Sequence, residues 1–406
     1  MKLSTIAETL PGSQILAISN SIKERIKAGE TIYNFTVGDF DPHIFPIPEK
    51  LEEEIVNAYL RKFTNYPMAE GNLDLREAIA SFTKAFQRIH YDPSEVLVGS
   101  GGRPLIYALY RTIVDPGDKV IYPVPSWNNH YYTQFVGGVS VEIQTTAANH
   151  FMPTAEEIAP HIKEAVLLAL CSPQNPTGTT FKKQNIKAIC ELVLEENKRR
   201  SDSEKKLFIL FDQMYWLLAY GSNQHHDPVS VCPDIRPYVI YVDAISKSFA
   251  ATGVRVGWAL GPSAVLNKMK AILTHVGAWA PMAEQKAVAR FLVNSPAIEE
   301  YLHVFKERIE ERLQLIYNGI LSLKQEGFPV DAIAPQAAIY LTVRIGLPQA
   351  HTLLLKDAGI GILPFAVFGA ASHSPWYRIS VGACKKEDIA LMLEKLKKVL
   401  CPITIA

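Results

Sequence analysis

Residues Asp243 to Gly257 read D-A-I-S-K-S-F-A-A-T-G-V-R-V-G and link two apolar runs. The runs cover residues 238–242 and 254–260, so we expect Lys247 to lie in a turn between two buried strands. Burial disfavours the charged form of a lysine, and such a lysine tends to lose its proton and become a nucleophile. A neutral amine is what the formation of a Schiff base with an aldehyde requires. The alternative interpretation is a surface Ser-Lys-Ser turn beside a strand arginine.

The length and composition are those of an ordinary globular protein. The chain has 406 residues, enough for two domains or for one large domain with a smaller lobe, and 48% of them are hydrophobic. The formal net charge is +0, so no overall field attracts the chain to nucleic acid or to an anionic membrane. The five cysteines form no Cys-x-x-Cys pair, which predicts neither a metal site nor a disulfide framework. The composition therefore indicates neither nucleic acid nor a membrane as a partner.

The termini and the charged clusters carry no targeting or binding signal. The N-terminus, M-K-L-S-T-I-A-E-T-L-P, lacks the apolar core of a signal peptide, and no apolar run approaches the roughly 20 residues of a membrane span. The cytoplasm is the expected compartment. Basic residues at 198–200 and 205–206 are interrupted by Asp202 and Glu204, which predicts a solvated helix end and loop rather than a binding patch.

The middle of the chain alternates between apolar runs and helical segments. The runs cover residues 95–98, 119–122, 139–143, 165–170, 207–211, 238–242 and 254–260. Strand and helix alternation of this kind predicts a mostly parallel sheet that helices cover on both faces. Ligands bind such sheets beyond the carboxyl ends of the strands. The residues directly after each run are therefore candidates for the functional site.

The two ends of the chain read differently from the middle. Residues 13–29 predict a helix that Ser13 caps, and F-T-V-G predicts a short strand that breaks at Gly38. A long charged segment from 297 to 325 predicts a helical spine. Beyond the spine, the pattern predicts a small α/β lobe, with strands near 338–344 and 376–381 and helices near 347–358 and 385–399.

Three of the apolar runs end in turn sequences that could contact a ligand. G-S-G-G-R follows residues 95–98, and small residues before a helix let backbone N–H groups approach a phosphate, although many such segments are only tight turns. P-V-P-S-W-N-N-H follows residues 119–122, where the aromatic side chain could simply belong to the core. C-S-P-Q-N-P-T-G follows residues 165–170 and is an ordinary turn sequence when taken alone.

Two charged residues stand in apolar surroundings. Asp212 directly follows the run 207–211, and a buried carboxylate is costly unless it is paired, although a helix cap is an alternative. Arg378 lies within W-Y-R-I-S-V-G near the C-terminus. An unpaired guanidinium in a buried strand is costly, so we expect an anionic partner for Arg378.

Ser-Lys-Ser-Phe followed by Gly-x-Arg-x-Gly resembles the cofactor-lysine segment of class I aminotransferases, the pyridoxal-phosphate enzymes of fold type I. The other motifs follow in the family's order between Gly38 and Arg378, and they are most similar to those of aspartate aminotransferases. The resemblance implies an α/β fold with a mostly parallel central sheet covered by helices. It also implies a large cofactor-binding domain at 46–295 and a smaller α/β domain built from residues 1–45 and 296–406.

The resemblance implies that pyridoxal 5'-phosphate is the cofactor and that Lys247 is the Schiff-base lysine. Its phosphate would be bound by Ser100, Gly101, Gly102, Ser246, Arg255 and, from the other subunit of a homodimer with shared active sites, Tyr66. The ring would stack on Trp127, and Asn175 and Tyr215 would bind its phenolic oxygen. Asp212 would keep the ring nitrogen protonated, and His130 would in turn contact the carboxylate of Asp212.

The resemblance also implies where the substrate binds. Arg378 would hold the α-carboxylate in a bidentate pair, with Gly38, Trp127 and Asn175 nearby. Arg103 stands where some bacterial aspartate aminotransferases have a lysine for the distal carboxylate, so it could select dicarboxylic amino acids; the alternative is a loop arginine that faces solvent.

One position departs from the family. The family usually has a serine three residues before the lysine, where it contributes to the phosphate site, and this chain has Ala244. We expect the change to affect the affinity for the cofactor rather than the reaction.

The expected reaction is a ping-pong transfer of an amino group to a 2-oxo acid, with Lys247, Asp212 and Tyr215 as catalytic residues. Aspartate or glutamate is the favoured donor, and aromatic amino acids come next. Two alternatives are a β-eliminating carbon–sulfur lyase, which uses the same residues, and a catalytically silent binding protein on the same fold.

Overall fold

The computed structural model describes residues 2–401 of the chain. Met1 and residues 402–406, which the predicted domain ranges include, lie outside the described residues. The helices are α1 (Thr5–Thr9), α2 (Gln14–Lys27), α3 (Glu49–Leu60), α4 (Leu73–Gln87), α5 (Gly102–Ile113), α6 (Asn129–Phe135), α7 (Ala155–Ile158), α8 (Lys183–Arg199), α9 (Pro228–Val231), α10 (Ile245–Ser248), α11 (Ser263–Val276), α12 (Met282–Leu292), α13 (Ser295–Gln325), α14 (Ala350–Leu353) and α15 (Asp388–Leu400).

The strands form three sheets. They are β1 (Tyr33–Asn34), β2 (Val96–Gly99), β3 (Lys119–Val124), β4 (Val139–Gln144), β5 (Ala165–Cys171), β6 (Phe208–Asp212), β7 (Val239–Ala244), β8 (Gly257–Leu260), β9 (Val330–Ala332), β10 (Tyr340–Ile345), β11 (Ile360–Gly361), β12 (Leu363–Pro364) and β13 (Trp376–Ser380). The largest sheet has the order β2-β8-β7-β6-β5-β3-β4. Only β8 runs antiparallel to its neighbours in this sheet, so the prediction of a mostly parallel sheet is confirmed.

Helices cover both faces of the central sheet. Along β5, Leu168 and Leu170 pack into a core that includes side chains of α4, α8 and α12. The alternate residues Leu167 and Ala169 pack into a second core with α5 and α11. Because successive strand residues point to opposite faces, a run that is apolar throughout must be covered on both sides, which is why β5 reads as a continuous hydrophobic segment.

The last strand of the central sheet is shorter than predicted. The apolar run 254–260 forms a strand only over Gly257–Leu260, and the residues before it form a turn. Arg255 has a φ of 61°, in the left-handed region. Its side chain donates hydrogen bonds to the carbonyl oxygens of Ser100 and Thr252, both at 2.8 Å. Hydrophobicity alone did not predict this turn because its neighbours are apolar.

The second part of the fold combines both ends of the chain. A four-stranded sheet of order β12-β13-β10-β9 and a short parallel pair of β1 with β11 pack with α13 and α15. Phe35, Phe40 and Phe45 belong to the same hydrophobic core as Phe305 and Ile309 of α13. This arrangement resembles the predicted small α/β lobe, while the predicted domain boundaries stay a prediction.

Local expectations at the two ends differ in detail from the structure. The N-terminal strand, β1, lies before the predicted F-T-V-G segment, although Phe35 still exchanges backbone hydrogen bonds with Gly361 and Ser380. The helix predicted near 347–358 is regular only over α14, and Leu354–Ala358 continues it as a wider π turn. The spine helix α13 extends over 31 residues, close to its predicted range.

One basic cluster is not solvated as predicted. Arg200 is only 7% exposed. Its guanidinium donates to Glu196 Oε1 at 2.7 Å and to the carbonyl oxygens of Lys205 and Ala165, both at 2.8 Å. Arg200 therefore fastens the end of α8 to neighbouring loops, because five donors on one planar group can satisfy several carbonyl groups at once.

No helix within residues 2–401 has the length and apolar character needed to cross a bilayer. The cytoplasmic location stays a prediction.

Candidate active site

A cavity of about 620 Å³ lies where the carboxyl ends of β5, β6 and β7 face β10 and β13. Most of the residues predicted for the site line it: Gly38, Gly102, Arg103, Trp127, Asn175, Asp212, Tyr215, Ser246, Lys247, Arg255 and Arg378. Ser100, Gly101 and Tyr66 are not among the lining residues. The structure thus brings together side chains that are up to several hundred positions apart in sequence.

Lys247 projects from the short helix α10 into the cavity. Its Nζ donates a hydrogen bond to the carbonyl oxygen of Gly38 at 2.6 Å. Burial lowers the pKa of Lys247 to about 8, and the positive charges of Arg378 and Arg103 act in the same direction, whereas Asp39 opposes them. A substantial fraction of this amine is therefore neutral near physiological pH, as a nucleophile requires.

Asp212 ends β6 at the same cavity. Burial raises its pKa to about 6. Its Oδ1 accepts a hydrogen bond from the backbone N–H of Met214 at 3.1 Å, and within residues 2–401 it has no salt bridge. The alternative that Asp212 is a capping residue accounts for the hydrogen bond at Oδ1 but gives no role to the second carboxylate oxygen. A cationic ligand group at Asp212 would restore the ordinary pKa of this carboxyl.

Arg255 closes another side of the cavity beside the start of α5. Both of its hydrogen bonds go to carbonyl oxygens, and no carboxylate of residues 2–401 lies within salt-bridge distance. Gly101 packs directly on this guanidinium, since an added Cβ would lie 2.2 Å from Arg255 Nη2. Gly101 also has a φ of 87°, so a side chain is excluded there on both counts. The start of a helix and an unpaired arginine together favour an anion.

Arg378 is buried in β13 without the anionic partner that its position predicts. Its Nη1 donates to Asn175 Oδ1 at 2.9 Å and its Nη2 donates to the Thr36 carbonyl at 2.7 Å. Its Nε is buried with no hydrogen-bond partner, and no acidic residue of 2–401 pairs with the side chain. The charge of Arg378 therefore remains available to a ligand that carries a carboxylate.

Tyr215 meets a tyrosine that sequence reasoning missed. The hydroxyl groups of Tyr215 and Tyr340 are 2.6 Å apart, and the guanidinium of Arg378 lies 4.5 Å from the centre of the Tyr340 ring. Tyr340 lines the cavity as the first residue of β10. The sequence signal for Tyr340 was weak, because a tyrosine at the start of the strand predicted near 338–344 is an ordinary strand residue.

Asp39 is the second residue that sequence reasoning missed. It lines the cavity directly after Gly38, and its charge favours the protonated forms of Lys247 and Arg255. Its signal was an acidic residue at the point where the N-terminal strand breaks. Within the lining residues, Asp39 and Asp212 are the carboxylates that balance Arg103, Lys247, Arg255 and Arg378.

Trp127 and Arg103 form one wall of the cavity. The guanidinium of Arg103 lies 4.5 Å from the centre of the Trp127 ring, a distance typical of a cation–π contact. Arg103 is exposed and also lines the cavity, so its charge faces both solvent and a bound ligand.

The predicted pairing of His130 with Asp212 is wrong. His130 makes no hydrogen bond to Asp212, and its ring packs on Tyr131 with 3.8 Å between ring centres. Burial lowers the pKa of His130, and the charge that opposes this effect belongs to Glu142 of β4. The prediction that His130 contacts the Asp212 carboxylate came from motif order alone. In the structure His130 lies in the first turn of α6, and the acidic residue that acts on its ring is Glu142 of β4.

Two further predicted positions lie outside the chain's own cavity. Tyr66 is 81% exposed and packs edge-on against Trp279, with 5.4 Å between ring centres. Ala244 is buried at the end of β7 and does not line the cavity. The side chain of Ala244 therefore offers no hydroxyl group to the cavity.

The unpaired charges of the cavity describe the ligand that it fits. The same cavity is lined by a carboxylate that can pair with a cation, a guanidinium that can bind an anion and a partly neutral amine. These groups belong to Asp212, Arg255 and Lys247. Pyridoxal 5'-phosphate carries a basic ring nitrogen, a phosphate and an aldehyde, which match these three groups. Besides the phosphate, a second anion of the size of a carboxylate would fit at Arg378. The residues present therefore suit both the cofactor and an amino acid.

Known proteins share both the sequence pattern and the fold. The family described as aminotransferase class I and II matches residues 30–396. The aspartate/prephenate aminotransferase of Thermus thermophilus is 28% identical over 404 residues, which cover 98% of this chain and 98% of that protein. The aspartate aminotransferase of Geobacillus stearothermophilus is 28% identical over 389 residues, which cover 92% of this chain and 93% of that protein.

A solved structure titled aspartate aminotransferase from Thermus thermophilus with maleate superposes with a TM-score of 0.89. It is 26% identical and covers 98% of this chain and 100% of its own. The predicted family resemblance and the fold type I α/β architecture are confirmed.

The buried amine predicts a pH-dependent cost in stability. Replacing Lys247 by Met in the cofactor-free protein should raise the free energy of unfolding by about 2 kcal/mol at pH 7, because the folded state no longer holds a charged lysine in a buried site. The gain should shrink as pH rises from about 8, where folded Lys247 loses its proton, to 10.5, where the unfolded lysine does. Urea unfolding at several pH values measures the difference.

The control is Lys187→Met, which changes an exposed lysine of α8. The same pH series on this variant measures the change in stability that is not specific to Lys247. A Lys247→Met effect that follows the same course with pH would contradict the lowered pKa of Lys247.

Proposed function

The chain belongs to the aminotransferase class I and II family, and on this premise we propose that it transfers the amino group of an amino acid to a 2-oxo acid with pyridoxal 5'-phosphate as its cofactor. The observation that carries the proposal is the set of unpaired groups in one cavity. Asp212 lacks a cation, Arg255 lacks an anion, and Lys247 is an amine whose pKa burial lowers to about 8.

Each part of the cofactor has a residue to hold it. Lys247 would hold the cofactor through Nζ, and Arg255 with the start of α5 would bind the phosphate. Ser100 and Gly101 support this subsite from behind, through the carbonyl that accepts from Arg255 and through the space that glycine leaves. Trp127 and Asn175 contact the ring, and Asp212 keeps its nitrogen protonated.

When bound, the cofactor supplies an electron-withdrawing ring that accommodates negative charge developing at the substrate Cα. The residues of the chain orient the substrate and move its proton. Arg378 holds the α-carboxylate, so that the Cα proton faces Lys247. As a free amine, Lys247 Nζ would remove this proton as a general base, and the Gly38 carbonyl limits where the amine can point. Tyr215 would donate a hydrogen bond to the phenolic oxygen of the cofactor.

The substrate that we propose is a dicarboxylic amino acid, aspartate or glutamate, with aromatic amino acids next. Three arginines line the cavity, and Arg103 is the one to which we assign neither the phosphate nor the α-carboxylate. Its place beside Trp127 supports contact with a distal carboxylate. The names of the relatives support the same choice, since they are aspartate and aspartate/prephenate aminotransferases.

The two alternative functions have less support. A β-eliminating lyase would use the same lysine and arginines, but the matched relatives carry aminotransferase names. A silent binding protein would have no reason to keep a lysine amine buried beside three arginines, because that arrangement lowers the pKa of Lys247 and destabilises its charged form.

We propose that the active form is a homodimer with shared active sites. Exposed apolar side chains are frequent on α3 and in the loop that follows it, and Tyr66 of this loop packs on Trp279, just after α11. Leu60 is 71% exposed and Met68 is 58% exposed. Exposed apolar side chains of this kind favour association, and a partner there would bring Tyr66 to the other subunit's phosphate subsite.

Loss of the lysine should abolish turnover. Lys247→Ala should lower kcat by at least about 1000-fold, because it removes both the covalent attachment and the base. An assay that couples oxaloacetate formation from aspartate and 2-oxoglutarate measures the rate. The control Lys187→Ala should retain the rate of the unchanged protein.

Near-normal turnover of Lys247→Ala would refute the assignment. Release of ammonia and pyruvate from cysteine without any 2-oxo acid would favour the lyase instead. Failure of the protein to take up pyridoxal phosphate would favour the silent binding protein.

Arg103 should determine the preference for dicarboxylic substrates. Arg103→Ala should lower kcat/KM for aspartate by about 10-fold to 100-fold, since a charge-assisted hydrogen bond to the distal carboxylate is lost, and should leave alanine unaffected. Arg344→Ala, which changes an exposed arginine of β10 outside the cavity, is the matched control. An unchanged ratio of aspartate to alanine kcat/KM would show that Arg103 has another role.

The apolar surface around Tyr66 should hold two chains together. Sedimentation should give twice the chain mass of 45.2 kDa. Met68→Glu should produce single chains with little activity, because it buries a charge in the interface. Leu391→Glu, at an exposed leucine of α15, is the control and should remain dimeric. Fully active single chains would exclude shared active sites.

A further inference from the structure

The hydroxyl groups of Tyr215 and Tyr340 form an isolated pair at the bottom of the cavity. They lie 2.6 Å apart, and neither has another hydrogen-bond partner within residues 2–401. Both side chains are nearly fully buried, with 3% and 1% of their surfaces exposed. Each phenol has one proton, and a single hydrogen bond uses one of the two. One proton of the pair is therefore left for a ligand.

The position of Arg378 favours Tyr340 as the donor of the pair. The Arg378 guanidinium faces the Tyr340 ring at 4.5 Å. Burial raises the pKa of Tyr340, but Arg378 and the bond to Tyr215 oppose this rise. Burial and the Tyr340 contact both raise the pKa of Tyr215, and Arg378 opposes them there as a smaller influence. Because the guanidinium faces the Tyr340 ring, Tyr340 is the better donor of the pair, which leaves the proton of Tyr215 for a ligand.

Neighbouring backbone keeps the Tyr340 hydroxyl in place. Tyr340 pairs with Ser380 across β10 and β13, two residues beyond Arg378. A Cβ added at Gly38 would lie 3.0 Å from the Tyr340 hydroxyl oxygen. The Gly38 backbone and the Tyr215 hydroxyl therefore both lie against this oxygen, and a buried hydroxyl so confined can direct its proton to one acceptor.

We propose that Tyr340 is a positioning residue, whose hydroxyl donates to Tyr215 and so directs the Tyr215 proton toward the phenolic oxygen of pyridoxal phosphate. The proposal rests on the proposed function, since it requires the cofactor in this cavity. Without the donor, the Tyr215 hydroxyl can turn away and its hydrogen bond to the cofactor weakens.

The titratable and charged groups that face the pair come from several segments. Arg378 lies on β13, Asp39 follows Gly38, and Cys171 ends β5. Lys247 reaches the same region through its hydrogen bond to Gly38. A hydrogen bond from Tyr215 to the phenolic oxygen stabilises the ionised form of that oxygen and lowers the pKa of the bound chromophore. Loss of Tyr340 should therefore raise that pKa.

The experiment is a pH titration of the visible absorbance of the cofactor-loaded protein. Tyr340→Phe keeps the ring that faces Arg378 and removes only the hydroxyl. It should raise the pKa of the chromophore by about 0.5 to 1 pH unit. Tyr215→Phe should raise it at least as much, and the double variant should show no more than Tyr215→Phe alone, because Tyr340 acts through Tyr215.

The matched control is Tyr377→Phe. Tyr377 is a buried tyrosine next to Arg378, its hydroxyl accepts from the Ala350 N–H at 3.2 Å, and it does not line the cavity. This variant should leave the chromophore pKa unchanged, whatever its effect on thermal stability. If Tyr340→Phe does not fold, Tyr340→His replaces it, and its shorter side chain should raise the pKa in the same way.

The outcomes separate the inference from the proposed function. An unchanged pKa in Tyr340→Phe beside a raised one in Tyr215→Phe would overturn the role of Tyr340, as would additive shifts or an equal shift in Tyr377→Phe. A wild-type protein that forms no visible chromophore with pyridoxal phosphate would instead overturn the proposed function.

Discussion

The hydrogen bond between Lys247 and the carbonyl of Gly38 joins the two parts of the molecule at the cavity. The lysine comes from the turn after β7 in the central sheet, and the glycine comes from the N-terminal segment that packs with α13. A buried amine needs an acceptor, and this one is supplied by backbone that only the complete fold brings near. The cavity therefore exists only when both parts are in place.

The cavity combines burial with unpaired charge, which is unfavourable for the protein without its ligand. Within residues 2–401, Arg255 and Arg378 donate only to uncharged oxygens, and Asp212 accepts only from a backbone N–H. Each of these groups loses hydration without gaining an opposite charge. A ligand with a matching set of charges recovers that free energy on binding, so the same features that weaken the protein give affinity and orientation to what it binds.

Most of the fold and much of the site could be predicted from the sequence, because both depend on local patterns. Seven apolar runs indicated the seven strands of the central sheet, and the residues after the runs indicated the cavity. Tyr340 and Asp39 were missed because their roles depend on packing between segments distant in sequence. His130 and Arg200 were misjudged for a related reason. Motif order and charge patterning do not show which way a side chain turns or which carbonyl groups surround it.

The packing of Phe35, Phe40 and Phe45 against α13 has a consequence for how the chain is made. These residues leave the ribosome early, but their partners Phe305 and Ile309 are synthesised more than 250 positions later. Synthesis proceeds at about 5–20 residues per second. The central sheet has all its strands by Leu260 and can assemble first. The early aromatic segment therefore stays without its α13 partners for roughly ten seconds or longer, an interval in which its apolar side chains are exposed to aggregation.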